Sequence, residues 1–512
     1  MNLFKRREVL EVDVRPQANR RWRSYAAILG ILVVLNLAAA AAFVAAGQAP
    51  LEADALDYWH GGQRIVQGDW LLVRDPAEVA RTPGYLLFVA FFQATCGVRA
   101  LAATIIAQHF LLLANSLLAC WACWQLTKTR SAVLLCLALS LFCISSHGVA
   151  VHLLSDTLFS FVVTLCVASV IGWFQSPSAA RAVSIGAVLG AAILVKPAAQ
   201  WAWVAVAAAM LLTGGQGLAL RKRLAHSACV LMAAGLIVAP WLIRNEVYFG
   251  SPFLTKYLGR AMWYSCFRGR PTDRFNPPIP FAEEGPATQA VRRAAPNADP
   301  RNAFTTYKEL VQHGYSQIDA DELMLRTVKE AIRSHPREYL AGRCIRSVWF
   351  WITPNGTFRP NTGDFDFGAA RPKSPGPAVP ADGDEYAGQA VWKSDWYFMK
   401  GGLNFLWHPH PLLYAAAAVV TLTALVFLLR LPACRPMAIF FALWLAYFAA
   451  VIVMATSPEY RYRMILEPTM IMIVVAAWCR FRMARSEKVP SPATGRGSSD
   501  CLAATISSPK GY

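Results

Sequence analysis

The feature that most limits what this chain can become is a series of about ten apolar runs separated by short basic stretches. The first, residues 25–47, follows Lys5, Arg6, Arg7, Arg15, Arg20, Arg21 and Arg23. At ~1.5 Å per residue it is long enough to cross the hydrocarbon of a bilayer. A cleaved signal peptide also starts with basic residues, but its apolar part is shorter, so the run reads as an uncleaved anchor. Further runs fall at 101–126, 131–146, 153–174, 182–195, 198–212, 224–243, 412–429, 437–456 and 464–478, several of them short for a span. A chain that is 56% hydrophobic, with 17 tryptophans, is too apolar for an ordinary soluble domain. The expected class is an all-α polytopic membrane protein.

Basic residues set the orientation, because cytoplasmic loops collect them. Lys128 and Arg130, Arg181, Arg221 to Arg223, Arg430 and Arg435, and Arg480, Arg482 and Arg485 all fall on the side of the N-terminus. Both termini are therefore expected in the cytoplasm. The chain divides into a basic N-terminus (1–24), a first transmembrane module (25–243) with an external loop at 48–99, an extracytoplasmic segment (244–410), C-terminal transmembrane helices (411–483) and a disordered cytoplasmic tail (484–512). The other side of the membrane carries "ADALDYWHGGQRIVQGDW", the turn from His147 to His152, the turn at Lys196, the segment from Arg244 to Pro411, and "SPEYRYR".

The formal charge of +18 is accounted for by cytoplasmic loops that attract anionic headgroups. No basic stretch interleaved with aromatics points to nucleic acid. Of 12 cysteines, most lie inside spans, and Cys120 and Cys123 form a CxxC with no His or second pair beside it, which reads as apolar packing. Cys266 and Cys344 lie in the external segment, where pairing or its absence stays open. In that segment Asp319 with Glu322 resembles a capping box, followed by Met324, Val328, Ala331 and Ile332 at helical spacing up to Pro336. "REYLAGRCIRSVWFWI" has the mix of arginine and tryptophan expected of a helix lying at the membrane interface. "RPKSPGPAVPADGDEYAG" reads as a loop.

The order of motifs resembles polyprenyl-phosphate-sugar-dependent glycosyltransferases of the GT-C superfamily, the bacterial relatives of protein O-mannosyltransferases and of the aminoarabinose transferase of lipid A (glycosyltransferase family 39-like). Asp54, Tyr58, Gly62 and Gly68 fit the spacing of the family's acidic first loop, and "RTPGYLLF", with Arg81, looks like the element that follows. There Thr82 can cap a helix that Pro83 starts. "LLSDTLF", "LVKPAAQ", "APWLIRNEVYFGSPF", "AIRSHPREYL" and "SPEYRYRMILEP" come in the family's order. The likeness covers most of residues 20–480, but residues 356–393 match nothing in it. Two positions depart from the family pattern: Lys196 stands where many relatives have Arg, and Asp57 is an additional carboxylate. The resemblance implies a GT-C fold with about ten transmembrane helices, a sugar donor carried on polyprenyl phosphate (undecaprenyl phosphate in a bacterial inner membrane), and an extracytoplasmic active site. It also implies hexosyl or pentosyl transfer to an acceptor hydroxyl on a protein, lipid or polysaccharide.

Chemistry points the same way. A lipid-linked donor needs apolar walls for its isoprenoid tail, cations for its phosphate and a base for the acceptor hydroxyl, all at one interface. Asp54 is the expected base, with Asp57 and Asp156 as further carboxylates of the catalytic cavity. Asp156 reads alternatively as a helix cap. Tyr58, Arg81, Lys196, Arg244, Arg461 and Arg463 are the expected substrate contacts. For Lys196 the alternative is snorkelling from a span end, for Arg244 a helix C-terminal cation, and for Arg461 and Arg463 headgroup binding. His147 and His152 lack a third ligand at metal spacing, and the Asp364/Asp366 DxD has no Rossmann-like surroundings. No cofactor is expected to be obligatory, although Asp54 and Asp156 together leave a divalent cation open. The reading from another class is a secondary transporter or lipid-linked sugar flippase, which also puts charges at span ends; a membrane scaffold is the third.

Overall fold

A computed structural model of the chain describes residues 15–45, 54–74, 77–141, 143–213, 218–267, 278–296, 302–352, 411–455 and 460–486. Among the described residues every regular element is helical. In chain order they are α1 (Arg15–Ala45), α2 (Asp54–Val66), α3 (Pro83–Cys96), α4 (Ala100–Thr127), α5 (Arg130–Leu141), α6 (Ile144–Ala150), α7 (Asp156–Gln175), α8 (Ala179–Val195), α9 (Ala202–Thr213) and α10 (Leu220–Phe249). Then follow α11 (Leu258–Phe267), α12 (Pro286–Ala294), α13 (Ala303–Gln312), α14 (Gln317–Ser334), α15 (Pro336–Ile352), α16 (Pro411–Arg430), α17 (Arg435–Ala455) and α18 (Glu467–Ser486), with a single helical turn at Tyr460–Arg463. Each apolar run of the sequence overlaps one of these helices, except that the run 131–146 holds α5 and the start of α6. Four stretches are long and apolar enough to cross a membrane on their own: Pro83–Thr127, which joins α3 to α4, Asp156–Gln175, Leu220–Phe249 and Arg435–Met454. The apolar parts of α1, α5, α8, α9 and α16 are shorter. The chain is an all-α polytopic membrane protein.

The bundle core is aromatic and aliphatic, with Phe159, Trp173, Phe440, Phe441, Trp444 and Phe448 buried together. Large apolar side chains also stay exposed along α10 (Met232, Leu236, Ile243, Val247) and α16 (Val419, Leu422), as expected where the solvent is lipid. The two ends differ in chemistry. At one, Gln175 donates to the Gln125 carbonyl at 2.8 Å, Thr129 meets Cys479 at 3.5 Å, and Arg480 donates to the Leu126 carbonyl at 3.2 Å. This is the end that holds Lys128, Arg181 and Arg480. At the other end the "ADALDYW", Lys196 and "YRYR" segments converge.

On that second end α11 to α14 form a small unit with its own core of Trp263, Phe267, Leu310, Met324 and Val328. The helix expected before Pro336 is α14, but its cap lies three residues earlier than the sequence pattern indicated. Ser316, not Asp319, is the N-cap; its hydroxyl accepts from the Asp319 amide at 3.1 Å, and Asp319 fills the reciprocal position of the box. Glu330 from α14 also accepts the Ala287 and Thr288 amides at 2.9 and 3.0 Å, capping α12. Helix α15 is present, but as the reverse of an ordinary interface helix. Arg343 and Arg346 face inward, Arg343 donating to Ser265 Oγ at 2.7 Å and the Val453 carbonyl at 2.9 Å, while Leu340, Ile345 and Val348 face outward. Cys266 and Cys344 are unpaired thiols: Cys266 is buried, with an Arg343 nitrogen 3.0 Å from its sulfur, and Cys344 is exposed on the opposite side of α15. The "RPKSPGPAVPADGDEYAG" loop, the Asp364/Asp366 pair and the tail after Ser486 lie outside the described residues.

The alternation of basic loops predicts that the α11–α14 unit is extracytoplasmic. Glu284 is an exposed reporter for it, preferable to Gly285, where an added Cβ would lie 2.3 Å from the Glu330 carboxylate. A Glu284→Cys variant in a Cys344→Ser background should react with a membrane-impermeant thiol reagent, above the signal of that background, in cells stripped of their outer membrane. Protection until lysis would reverse the orientation.

Candidate active site

The site is built on α2, whose first turn carries Asp54 and Asp57 while Ala55, Tyr58, Gly62 and Ile65 are buried. That face packs on α3, and the contact is close enough to require glycine: a Cβ on Gly62 would sit 2.6 Å from Gln93 Oε1 and 2.9 Å from Val89. With α2 pressed onto α3, its two carboxylates stand over the residues that lead into α3. Arg81 is among them, and one of its nitrogens, Nη2, reaches both carboxylates, Asp54 Oδ1 at 2.6 Å and Asp57 Oδ2 at 2.9 Å. The three side chains are 12% (Arg81), 25% (Asp54) and 56% (Asp57) exposed, so Asp54 is the more enclosed of the two acids.

Arg81 is fixed from several directions. Its guanidinium carbon lies 5.1 Å from the ring centres of both Tyr58 and Tyr257. Glu78 accepts the Arg81 amide at 2.8 Å and the Ala80 amide at 2.7 Å. Burial works against the charge of Arg81, but Tyr58, Asp54, Tyr257 and Asp57 around it hold the guanidinium protonated, well above the ordinary arginine value. Burial also pushes up the Glu78 carboxyl, against the pull of the Arg81 amide and side chain. Thr82 does precede α3 with Pro83 in its first turn, yet its side chain makes no capping hydrogen bond.

Tyr58 links this cluster to a second one. Its phenol is buried, which raises its pKa, and it shares a hydrogen bond of 3.0 Å with Ser155 Oγ. The next residue, Asp156, opens α7; it is not the N-cap, which is Ser155. Its buried carboxylate instead accepts from Lys196 Nζ at 2.6 Å. Lys196 follows the last turn of α8, and Gly84 brings that end against α3: a Cβ there would lie 2.6 Å from the Leu194 carbonyl oxygen. The Lys196 ammonium also lies 4.7 Å from the Tyr462 ring centre. Tyr447 anchors the turn beyond it, donating to the Ala198 carbonyl at 2.7 Å and accepting from the Trp201 amide at 3.0 Å.

Six of the sequence candidates thus share one region: Asp54, Asp57, Tyr58, Arg81, Asp156 and Lys196. Arg244 does not join them. It is buried beneath the loop after α2, donating to the Leu71 carbonyl at 2.8 Å and the Leu72 carbonyl at 2.6 Å, with Trp241 stacked at 4.4 Å. Its fork is spent on these carbonyls and on the Asn245 side-chain oxygen, so it shapes the loop. Arg463 is also buried, stacked on Tyr414 at 3.9 Å, 4.0 Å from Glu467, and near the Trp351 carbonyl at 3.2 Å. Arg461 falls in the same turn, and its side chain lies outside the described residues. His147 is buried against His109, ring centres 5.7 Å apart. Among the described residues no three His, Cys, Asp or Glu side chains gather as a metal site would require.

Sequence reading missed Ser155, Tyr257 and Glu78. Glu78 had a signal, an acid three residues before Arg81. Tyr257 had none, since its distance from Arg81 along the chain hides the contact.

No protein-family profile matches the chain, and no curated protein matches it by sequence. Compared by structure, it is similar to ArnT from Cupriavidus metallidurans bound to undecaprenyl phosphate, with 13% identity and a TM-score of 0.39 over 90% of this chain and 79% of that one. It is similar to the same protein in the apo state, with 15% identity and a TM-score of 0.38 over 89% of this chain and 78% of that one. Likeness at this level assigns no residue a role.

Arg81 is the keystone of the acidic cluster, so its neutral replacement leaves two carboxylates facing each other in a half-buried place. Arg81→Met should lower stability by about 1–3 kcal/mol, the usual cost of leaving charged groups unsatisfied. Adding Asp57→Asn should recover part of the loss. Thermal unfolding in detergent checks both, and an unchanged midpoint in Arg81→Met would show that the bridge carries no weight.

Proposed function

We propose that the protein is a membrane glycosyltransferase that moves a sugar from a polyprenyl-phosphate carrier to an acceptor hydroxyl. The observation that carries this reading is the joining of a carboxylate pair and two cations at one end of an apolar bundle, Asp54 and Asp57 on Arg81, and Asp156 on Lys196. The order of family-like motifs along the sequence supports the same chemistry.

In this reading the acceptor oxygen attacks the anomeric carbon, the bond from that carbon to the phosphate oxygen breaks, and the hydroxyl proton passes to Asp54. The electron pair leaves on polyprenyl phosphate, whose new charge is stabilised by Lys196 and Arg81. Such cations stabilise the transition state more than the ground state, because the charge develops as the bond breaks. In the structure both cations are paired with carboxylates, which offsets the cost of holding charge in a half-buried place. An arriving lipid phosphate competes for Lys196 and Arg81. As Arg81 turns toward the anion, Asp54 is released from this ion pair and becomes a better proton acceptor. Tyr58, through Ser155, keeps the Asp54 and Asp156 clusters in fixed relation. A single phosphate leaving group is neutralised by two such cations, so this chemistry needs no obligatory divalent ion. The sugar is a hexose or pentose, and the site faces the extracytoplasmic side of a bacterial inner membrane.

Kinetics of purified variants test it. Asp54→Asn keeps shape and hydrogen bonding but cannot take the proton, so kcat should fall ~10² or more with donor KM little changed. Asp57→Asn, more exposed, should be milder. Lys196→Gln should also lower kcat, through the leaving group. Near-normal turnover in a well-folded Asp54→Asn variant would remove Asp54 from the mechanism.

A further inference from the structure

The loop after α2 is built in a way its role in the site does not require. Gly68, with φ of +88°, ends the helix, and the Asp69 amide turns back to the Arg64 carbonyl at 2.9 Å. Asp69 then faces inward, accepting from the Val73 amide at 3.0 Å, the Arg74 amide at 3.3 Å and Arg64 Nε at 3.1 Å. Burial alone would raise the Asp69 carboxyl, but the Arg64 side chain and these amides hold it below the usual carboxylate range. From the other side Arg244, itself only 4% exposed, donates to the Leu71 and Leu72 carbonyls. Leu72 is completely buried and adopts φ of +53°, a left-handed conformation that is strained for a residue with a side chain.

The Asp69 carboxylate and the Leu71 and Leu72 carbonyls of this turn point in, and the side chains it presents outward are Trp70, 70% exposed, and the exposed Leu71. An ordinary water-exposed turn does the opposite. The loop is fastened through Arg244 to the last turns of α10, the helix whose exposed face carries Met232, Leu236, Ile243 and Val247. Trp70 and Leu71 are thus held at the end of a helix that faces lipid. Exposed charges flank this junction in the sequence, Arg74 in the loop and Glu246 in the last turn of α10, the residue types found where a span meets headgroups.

We infer that residues 69–72 are a membrane anchor, inserting Trp70 and Leu71 into the boundary between headgroups and acyl chains of the bilayer next to α10. The Asp69 hydrogen bonds and the buried Arg244 hold the pair in the inserting posture, against the strain at Leu72, before any lipid is met, so little entropy is lost on contact. The anchor sets the height of α2 above the hydrocarbon. On the reading of the site proposed above, that is the height of Asp54 relative to the lipid phosphate, but the insertion itself does not depend on that reading.

The test needs no sugar donor. Trp70→Cys and Leu71→Cys, with Gln67→Cys as the water-exposed reference, are made in a Cys344→Ser background, labelled with an environment-sensitive nitrobenzoxadiazole probe, and placed in phosphatidylethanolamine/phosphatidylglycerol vesicles, the signal of the unsubstituted background being subtracted. Emission at 70 and 71 should be shifted to the blue relative to 67 and lose intensity with lipids carrying a nitroxide at a shallow acyl position. Water-like emission at 70 and 71 would overturn the anchor. So would blue-shifted emission insensitive to nitroxide lipid, which would mean that a protein surface, a second copy included, covers the loop. Both variants replace exposed side chains, and an unchanged unfolding midpoint verifies that the turn is intact.

Discussion

The contact on which the rest of the active end depends is one guanidinium held between two carboxylates. Arg81 ties the first turn of α2 to the lead-in of α3, and the rings of Tyr58 and Tyr257 sandwich it, bringing in the segment ahead of α11. A further link runs two residues upstream, where the Lys256 amide donates to the Val79 carbonyl at 2.7 Å and the Lys256 side chain pairs with Glu322 of α14. The small helical unit is thus fastened to the same loop that presents Arg81. A charge removed from water needs partners on every side, and satisfying this one draws three parts of the chain together.

The second pair repeats the logic at a deeper level. Asp156 and Lys196 come from the ends of α7 and α8, two helices packed along their lengths, so their separation is set by the bundle and not by a loop. Ser155 and Tyr58 connect the two pairs by a single hydrogen bond. Rigid helices thus deliver charged groups that water would otherwise scatter, and preorganisation of this kind is what a charge-separating reaction demands.

Much of this was legible in the sequence because a membrane simplifies the problem. Apolar runs fixed the helices, and Lys128, Arg181 and Arg480, read as basic residues of one side, lie at one end of the bundle. Asp54, Asp57, Asp156 and Lys196 stood out as charged residues at the ends of apolar runs, and Tyr58 and Arg81 by the family-like motifs that hold them. Partners were not legible. Nothing in the pattern said that Arg81 bridges both acids, that Lys196 takes Asp156, or that Arg244 turns its fork on two backbone carbonyls. Such pairings depend on crossings such as α2 on α3 at Gly62, where the lack of one methyl group decides the distance. Helix α15 shows the limit from the other side: its arginines and tryptophans suited an interface helix, but burying Arg343 and Arg346 against Ser265 reversed its faces. Composition gives the amphipathic period, while the neighbour decides which face is inside.

The most direct measurement of the central claim is the release of lipid phosphate by the unaltered protein. Purified protein in lipid nanodiscs, given undecaprenyl phosphate carrying one of a panel of sugars together with a cell-envelope extract as acceptor, should produce free undecaprenyl phosphate with at least one donor, in equal amount to the sugar transferred. A transporter or flippase moves the same lipid intact. If every donor is recovered with its sugar attached, while the protein binds or translocates it, the account of the site as a glycosyltransferase centre is contradicted.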